Sequence, residues 1–249
     1  MLRALACALL SVIATAAKAD WQALPIELDK ARYEAALYTP ASAALADGAA
    51  RPPVVLFLHG AGERGQDLKL ARSVGLPAIM QLPEEAVVVA PQVPAKAWWT
   101  DPPMMRLAMA TLERALAVTK GDRNRVYLAG VSMGGHGALH LAARYPDTFA
   151  ATLSVCPRLG RPNYLEPVKG IPADPAALGV ELASMPLWLF HGDRDKIVPV
   201  RNSQQLYAAL ERLDAPVRFT EFADAPHAIW DRVFRAKAPL DWLFSHARN

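Results

Sequence analysis

The chain carries four short runs in which apolar residues follow one another without the polar alternation of a half-exposed strand. They occupy residues 54–58, 86–90, 126–129 and 187–190. Each run is followed directly by histidine, proline or glycine. Runs of this length and closure predict strands that are buried on both faces of a parallel sheet.

Segments with helical periodicity lie between and after these runs. They cover residues 104–118, 135–144, 202–213 and 232–244. Residues 150–155 and 217–222 predict two further strands, and residues 33–39 predict an edge strand. Strands that alternate with helices indicate βαβ units. We therefore expect an α/β fold whose mostly parallel central sheet is covered by helices on both faces.

The N-terminus has the pattern of a secretory signal peptide. Arg3 precedes an apolar run at residues 4–17, and small residues occupy positions 17 and 19. This predicts cleavage before Asp20, so that residues 20–249 form a single secreted or periplasmic domain. The run is shorter than the roughly 20 residues that span a bilayer. We therefore expect no stable membrane anchor after cleavage.

Composition narrows the classes of partner. The 53% hydrophobic content excludes disorder as the main state. Without residues 1–19 the chain loses Arg3 and Lys18, which leaves 25 basic against 24 acidic residues, and it has no basic stripe for nucleic acid. Cys156 is then the single cysteine, so no intrachain disulfide is expected. No metal-ligand spacing is present, and we expect neither metal nor organic cofactor.

The segment GVSMG at residues 130–134 follows a predicted strand and precedes a predicted helix. G-x-S-x-G in this setting predicts a sharp turn that lifts the hydroxyl of Ser132 above the sheet. The flanking glycines are needed because side chains there would clash. Ser132 is thus the candidate nucleophile of an acyl-transfer reaction.

A serine hydroxyl needs a base within hydrogen-bond reach and a third group to orient that base. Among the histidines, His227 lies in a loop directly after the strand predicted at 217–222, and we take it as the base. The others end strands, lie on the helix after Ser132 or are nearly terminal: His59, His191, His136, His140 and His246. Asp195 is preferred as the acid over Asp193, which suits a tight turn, and over Asp224.

Acyl transfer also needs N–H donors for the developing oxyanion. The N–H of Met133, at the start of the helix, is one candidate. The second is expected from the glycine-rich loop at residues 59–65, where we choose Ala61 with Gly62 as the alternative.

The segments LFLHGAGERG, GVSMGGHGALHLAARYPDTFAA, FHGDRDKIVPV and PHAIW together resemble the α/β-hydrolase superfamily. Its single-domain serine carboxylesterases of the dienelactone-hydrolase, feruloyl-esterase and polyhydroxybutyrate-depolymerase type are most similar, over about residues 33–245. The resemblance implies a triad of Ser132, Asp195 and His227. Dienelactone hydrolases proper use cysteine where this chain has Ser132. A glycine commonly precedes the histidine, where this chain has Pro226.

Two features bear on the substrate. Trp98 and Trp99 follow the strand predicted at 86–90 and either line an acyl pocket or pack in the core. The proline-rich segment 157–186 is either a lid or a long surface connection, and we favour the lid.

The expected protein is an exported carboxylesterase that acts on small-molecule or polymer-derived esters. A peptidase for short peptides and a catalytically dead ligand-binding homologue are the alternatives. The sequence does not indicate an oligomeric state.

Overall fold

The computed structural model describes residues 20–41, 50–79, 82, 86–160, 172 and 174–249. The strands are β1 (Asp20–Leu28), β2 (Ala31–Thr39), β3 (Val54–Leu58), β4 (Val87–Pro91), β5 (Val126–Val131), β6 (Ala151–Val155), β7 (Leu187–Gly192) and β8 (Val217–Phe222). The helices are α1 (Leu68–Ala71), α2 (Gly75–Ile79), α3 (Pro102–Thr119), α4 (Met133–Arg144), α5 (Pro175–Leu182), α6 (Arg201–Glu211), α7 (Trp230–Arg235) and α8 (Lys237–Phe244). A short 3-10 helix spans Ala61–Glu63.

All the described strands belong to one sheet, in the order β1-β2-β4-β3-β5-β6-β7-β8. From β4 to β8 every neighbouring pair is parallel, whereas β1 and β2 join as an antiparallel hairpin at one edge. The predicted α/β class with a mostly parallel sheet is confirmed. Because parallel strands end at the same edge of the sheet, the loops after β3, β5, β7 and β8 meet above it.

Residues 33–39 form a strand as predicted, within β2, but the prediction that it is an edge strand is wrong. β2 lies between β1 and β4, and β1 is the edge. The sequence pattern of β1 is weak because only Leu24 and Ile26 are buried in it. Its pairing depends on the turn at Asp29 and Lys30, whose φ angles of 49° and 66° match the turn that suits the twist of a two-residue hairpin.

The single helix predicted at 232–244 is two helices, α7 and α8. Ala236 between them is extended, with φ −78° and ψ 135°. Pro239 explains the break, because proline has no N–H and its ring clashes with the carbonyl four residues earlier in a continuous helix.

The sheet has a hydrophobic core on each face. Successive residues of one strand point to opposite sides, so that Leu56 and Leu128 join one core while Val55 and Tyr127 join the other. The first core is completed by α3, α4, α5 and α6 through Leu112, Leu139, Leu178 and Leu206. The second is completed by α2, α7 and α8 through Leu76, Phe234 and Leu243. Burial of each such side chain contributes about 1.5–3 kcal/mol.

Two predicted segments fall wholly or partly outside the described residues. Residues 1–19, predicted as a signal peptide, are one. The other is the segment 157–186, of which 161–171 and 173 are not described. Its described part includes α5, which packs on α6: a Cβ built at Gly179 would lie 3.3 Å from Ala209 Cβ. No helix in the described ranges combines the length and apolarity needed to cross a membrane.

Candidate active site

Ser132 occupies the turn between β5 and α4 in a backbone conformation that L-residues rarely adopt, with φ 54° and ψ −114°. Its N–H donates to the Val155 carbonyl at 2.8 Å, which holds the turn against β6. A Cβ at Gly130 would lie 2.2 Å from the Gly134 carbonyl oxygen, so glycine is required there. The strained turn carries the Ser132 hydroxyl above the sheet, as G-x-S-x-G predicts.

The structure brings Ser132, His227 and Asp195 together in one hydrogen-bonded chain. His227 Nε2 lies 2.8 Å from Ser132 Oγ, and His227 Nδ1 lies 2.5 Å from Asp195 Oδ2. Because a carboxylate only accepts, Nδ1 carries the imidazole proton and Nε2 is left to accept from the serine hydroxyl. This is the geometry that serine activation requires.

Asp195 is fixed on its other oxygen as well. Its Oδ1 accepts from the N–H groups of Ile197 and Val198, both at 2.8 Å. Burial by itself would raise the pKa of Asp195, but the hydrogen bonds from His227, Val198 and Ile197 outweigh it and hold that pKa below its usual value. The carboxylate therefore stays ionised beside the imidazole.

The two competing carboxylates lie elsewhere. Asp193 Oδ1 accepts from the N–H of Ala225 at 3.1 Å, which ties the turn after β7 to the loop of His227. Asp224 forms an ion pair with Arg194, and both side chains are 70% exposed. Of the three candidates, Asp195 is the one whose carboxylate contacts His227.

The loop that carries His227 is held against the end of β7. A Cβ at Gly192 would lie 2.3 Å from the Ala225 carbonyl oxygen, so the loop packs directly on backbone. The buried Cys156 thiol donates to the His227 carbonyl at 3.2 Å. Trp230 packs edge-on to the imidazole, with ring centroids 5.7 Å apart. These contacts fix the histidine in place.

Ligand atoms of Cys156, His191 and Asp195 lie within 4.8 Å of one another. Burial, with the nearby charge of Asp195, raises the pKa of the Cys156 thiol well above its usual value, whereas a thiolate is the form that binds metals. The protonation state of this donor set favours hydrogen bonds over metal ligation.

The glycine-rich loop after β3 lies beside Ser132. A Cβ at Gly60 would lie 3.8 Å from Ser132 Cβ and 2.8 Å from Glu63 Oε2. Ala61 opens the short 3-10 helix directly after Gly60, and Met133 opens α4 directly after Ser132. Both predicted N–H donors, Ala61 and Met133, thus begin helical turns next to the hydroxyl, where helix N–H groups have no intrahelical partner.

His59 anchors this loop from below. The imidazole is fully buried, its Nδ1–H donates to the Gly60 carbonyl at 2.7 Å, and its Nε2 accepts from the N–H of Val93 at 3.3 Å. Burial lowers the pKa of His59 from 6.5 to about 4, so the ring is neutral at ordinary pH. A neutral ring is what this pair of contacts requires, because Nε2 can accept only when it carries no proton.

The two tryptophans differ. Trp99 is 1% exposed, its indole N–H donates to the His59 carbonyl at 2.9 Å, and it packs on Gly137, where a Cβ would lie 2.4 Å from Trp99 Cβ. Trp99 is therefore a core residue without an accessible face in this structure. Trp98 is half-buried, and the Arg64 guanidinium lies over its ring, 5.7 Å from the ring centroid.

The fold is that of an α/β-hydrolase, with Ser132, His227 and Asp195 hydrogen-bonded to one another. A family model described as "Putative esterase" matches residues 30–238, and the chain belongs to that family. It is 29% identical over 171 residues to "Putative esterase NocK" of Nocardia uniformis subsp. tsuyamanensis, covering 65% of this chain and 44% of NocK. It is 23% identical over 163 residues to the acylamino-acid-releasing enzyme of Rattus norvegicus, covering 54% of this chain and 22% of that enzyme. The chain thus spans less than half of these relatives.

Solved structures agree with the family. A thermostable esterase superposes with a TM-score of 0.76 at 25% identity and covers 92% of this chain and 64% of its own. A ferulic acid esterase superposes with a TM-score of 0.71 at 17% identity, covering 92% and 98%. FphF, a fluorophosphonate-binding serine hydrolase of Staphylococcus aureus, gives 0.72 at 18% identity, covering 92% and 99%. The last two likenesses show the fold alone.

Proposed function

We propose that the protein is a carboxylesterase that cleaves ester bonds through an acyl-enzyme on Ser132. The observation that carries the proposal is the unbroken hydrogen-bonded chain from Ser132 Oγ through His227 to Asp195. Each member has the partner that its role requires: a hydroxyl facing a free imidazole nitrogen, and an imidazole N–H facing a carboxylate.

The reaction follows from these contacts. His227 Nε2 takes the hydroxyl proton as Ser132 Oγ attacks the ester carbonyl, and Asp195 stabilises the imidazolium that forms. His227 then gives the proton to the departing alcohol. A water that loses a proton to the same nitrogen attacks the acyl-enzyme, and His227 returns that proton to Ser132 Oγ as the acid leaves.

The N–H groups of Met133 and Ala61 are proposed to stabilise the oxyanion. Their support is the position of both residues at the starts of helical turns that flank Ser132. One such donor typically lowers the barrier by about 3–4 kcal/mol. Trp98 is proposed to line the acyl side of the pocket, since its half-buried ring packs against Arg64, whose Nε–H donates to the Ala61 carbonyl.

The first test uses p-nitrophenyl esters and a fluorophosphonate probe with the wild type and Ser132→Ala. We expect the wild type to hydrolyse the esters and to be labelled, and the variant to lose both activities, with a fall in kcat of about 10⁶ because triad members act as a unit. A folded wild type that is neither labelled nor active would contradict the proposal and favour the ligand-binding alternative.

A peptidase is the second candidate, favoured by the likeness to the acylamino-acid-releasing enzyme. The test is a comparison of kcat/KM for N-acyl amino acid p-nitroanilides with that for p-nitrophenyl and feruloyl esters. We expect the esters to be preferred. A higher kcat/KM for the anilides would assign the protein to the amide-cleaving class instead.

Export is also proposed. It is supported by the signal-like pattern of residues 1–19, in which Arg3, an apolar run and small residues at positions 17 and 19 precede Asp20. N-terminal sequencing of the protein from the periplasmic and culture fractions of an expressing bacterium tests it. The expected N-terminus is Asp20, whereas an intact Met1 in the cytoplasmic fraction alone would contradict export.

A further inference from the structure

His191 is a second histidine on the carboxylate that holds His227. It lies in β7, and its side chain is fully buried. Its Nε2 lies 3.1 Å from Asp195 Oδ2, the same oxygen that contacts His227. Its Nδ1 lies 2.7 Å from the hydroxyl of Ser203 on α6, which is buried as well.

The neighbours of His191 fix where its proton lies. Nε2 faces two acceptors, Asp195 Oδ2 and the Val198 carbonyl at 2.9 Å, so Nε2 must carry a hydrogen. Burial lowers the pKa of His191, which keeps the ring neutral. Nδ1 therefore accepts from the Ser203 hydroxyl. The result is a directed chain in which Ser203 donates to His191 and His191 donates to Asp195.

We propose that His191 is a positioning residue for the reaction, which holds Asp195 Oδ2 in line with His227 and moderates its basicity through a hydrogen bond fixed by Ser203. This inference rests on the proposed function. With it, Asp195 accepts two N–H bonds on each oxygen: two from backbone on Oδ1 and two from imidazoles on Oδ2. A carboxylate with all its acceptor sites occupied has one orientation.

The bond has a predictable effect on pH dependence. The titratable groups that face Asp195 are His227 from the loop after β8, His191 from β7 and Cys156 from the end of β6. When the His191 donor is lost, the carboxylate attracts the imidazolium proton of His227 more strongly. The acid limb of the pH–rate profile is then expected to move to higher pH.

Two variants of similar polarity separate positioning from bulk packing. The side-chain nitrogen of Gln reaches about as far as Nε2, so His191→Gln keeps a donor to Asp195. Asn reaches only as far as Nδ1, so His191→Asn loses that donor. The matched control is His140→Asn, which exchanges another buried histidine, whose Nε2 lies 3.1 Å from the Leu159 carbonyl oxygen, away from the triad contacts.

The measurement is the rate of fluorophosphonate labelling from pH 5 to pH 9, with kcat and KM for a p-nitrophenyl ester. For His191→Asn we expect a labelling rate and kcat about tenfold lower, KM nearly unchanged, and an acid limb about 0.5 pH unit higher. His191→Gln is expected to stay within about threefold of the wild type, and so is His140→Asn, both with the wild-type limb. If His191→Asn fails to fold, Ser203→Ala carries the test with a smaller shift in the same direction.

The outcomes separate this inference from the proposed function. An unlabelled wild type, or labelling that survives Ser132→Ala, would overturn the proposed function. A wild type labelled on Ser132 together with an unchanged profile in His191→Asn would overturn only the role of His191. An acid limb that moves as far in His140→Asn as in His191→Asn would also overturn the role of His191. So would a labelling rate in His191→Gln as low as that in His191→Asn.

Discussion

Gly134 lies so close to Leu58 that a Cβ built on the glycine would be 1.9 Å from the Leu58 carbonyl oxygen. This contact joins the first turn of α4 to the end of β3, and so brings the loop of Ala61 beside Ser132. The neighbouring atoms are all backbone, including the His59 carbonyl oxygen at 2.6 Å. No side chain can rotate away to make room.

We therefore expect Gly134→Ala to lower the free energy of unfolding by about 3 kcal/mol or more, because α4 must move away from β3. Urea denaturation measures the change. Gly62→Ala is the matched control, since a Cβ at Gly62 meets nothing within 4 Å, and it should change stability by no more than about 0.5 kcal/mol. Equal effects of the two substitutions would contradict the close packing of the turn.

Asp195→Asn is expected to lower kcat by about 10⁴ while the fold is kept. An amide in place of the carboxylate no longer stabilises the imidazolium, and its NH₂ group presents hydrogens to His227, which favours the wrong tautomer. Stopped assays on p-nitrophenyl esters measure the loss, and circular dichroism confirms folding. The control is Asp193→Asn, whose carboxylate bonds to the N–H of Ala225 and not to His227. A larger loss in Asp193→Asn would show that the acid has been misassigned.

The central strands could be predicted from sequence because they are buried on both faces. β3 has the predicted bounds, and the predicted β7 run is extended only by His191 and Gly192. β1 could not be predicted in this way, because its two buried side chains do not form a recognisable strand pattern without the pairing with β2. Pro239 is a local signal for the break between α7 and α8. The apolar pattern continues across the break, however, and therefore predicts one helix.

In the candidate site, too, some residues are defined by a local sequence pattern and others only by contacts between distant segments. Ser132 is defined by a local motif whose glycines are needed within five consecutive residues. Asp193 and Asp195 are two residues apart in one turn, and only contacts with the distant His227 loop distinguish them. The sequence predicts His191 at a strand end. Its contact with Asp195, however, depends on the turn between the two residues and on Ser203 from α6. No local pattern carries that information.

Trp98 and Trp99 are expected to respond differently to substitution. Trp98→Ala removes a half-exposed ring from the proposed pocket, so KM should rise for esters with large acyl groups and change little for acetate esters. Trp99→Phe removes the N–H that the buried His59 carbonyl accepts, so it should lower the free energy of unfolding by about 1–3 kcal/mol. Steady-state kinetics over an acyl-chain series and urea denaturation distinguish the two. A uniform KM for all esters in Trp98→Ala would remove that residue from the pocket.

His59 is expected to make the protein less stable as the pH falls from about 6.5 to about 4. Its pKa is lowered to about 4 in the folded protein, so between these values the unfolded chain binds the proton and the folded one does not. Acid therefore favours unfolding across this window, and below about pH 4 both states carry the proton and the loss stops growing. A displacement from 6.5 to about 4 corresponds to about 3 kcal/mol.

The check is urea denaturation of the wild type and His59→Asn at pH 7.5, 5.5 and 4.5. Asn keeps a donor for the Gly60 carbonyl but does not titrate, so the variant should be less stable at pH 7.5 yet lose less stability on acidification. His191, whose pKa burial also lowers, adds to the slope in both proteins and cancels in the comparison. Parallel stability curves for the two proteins would show that His59 does not titrate in this range.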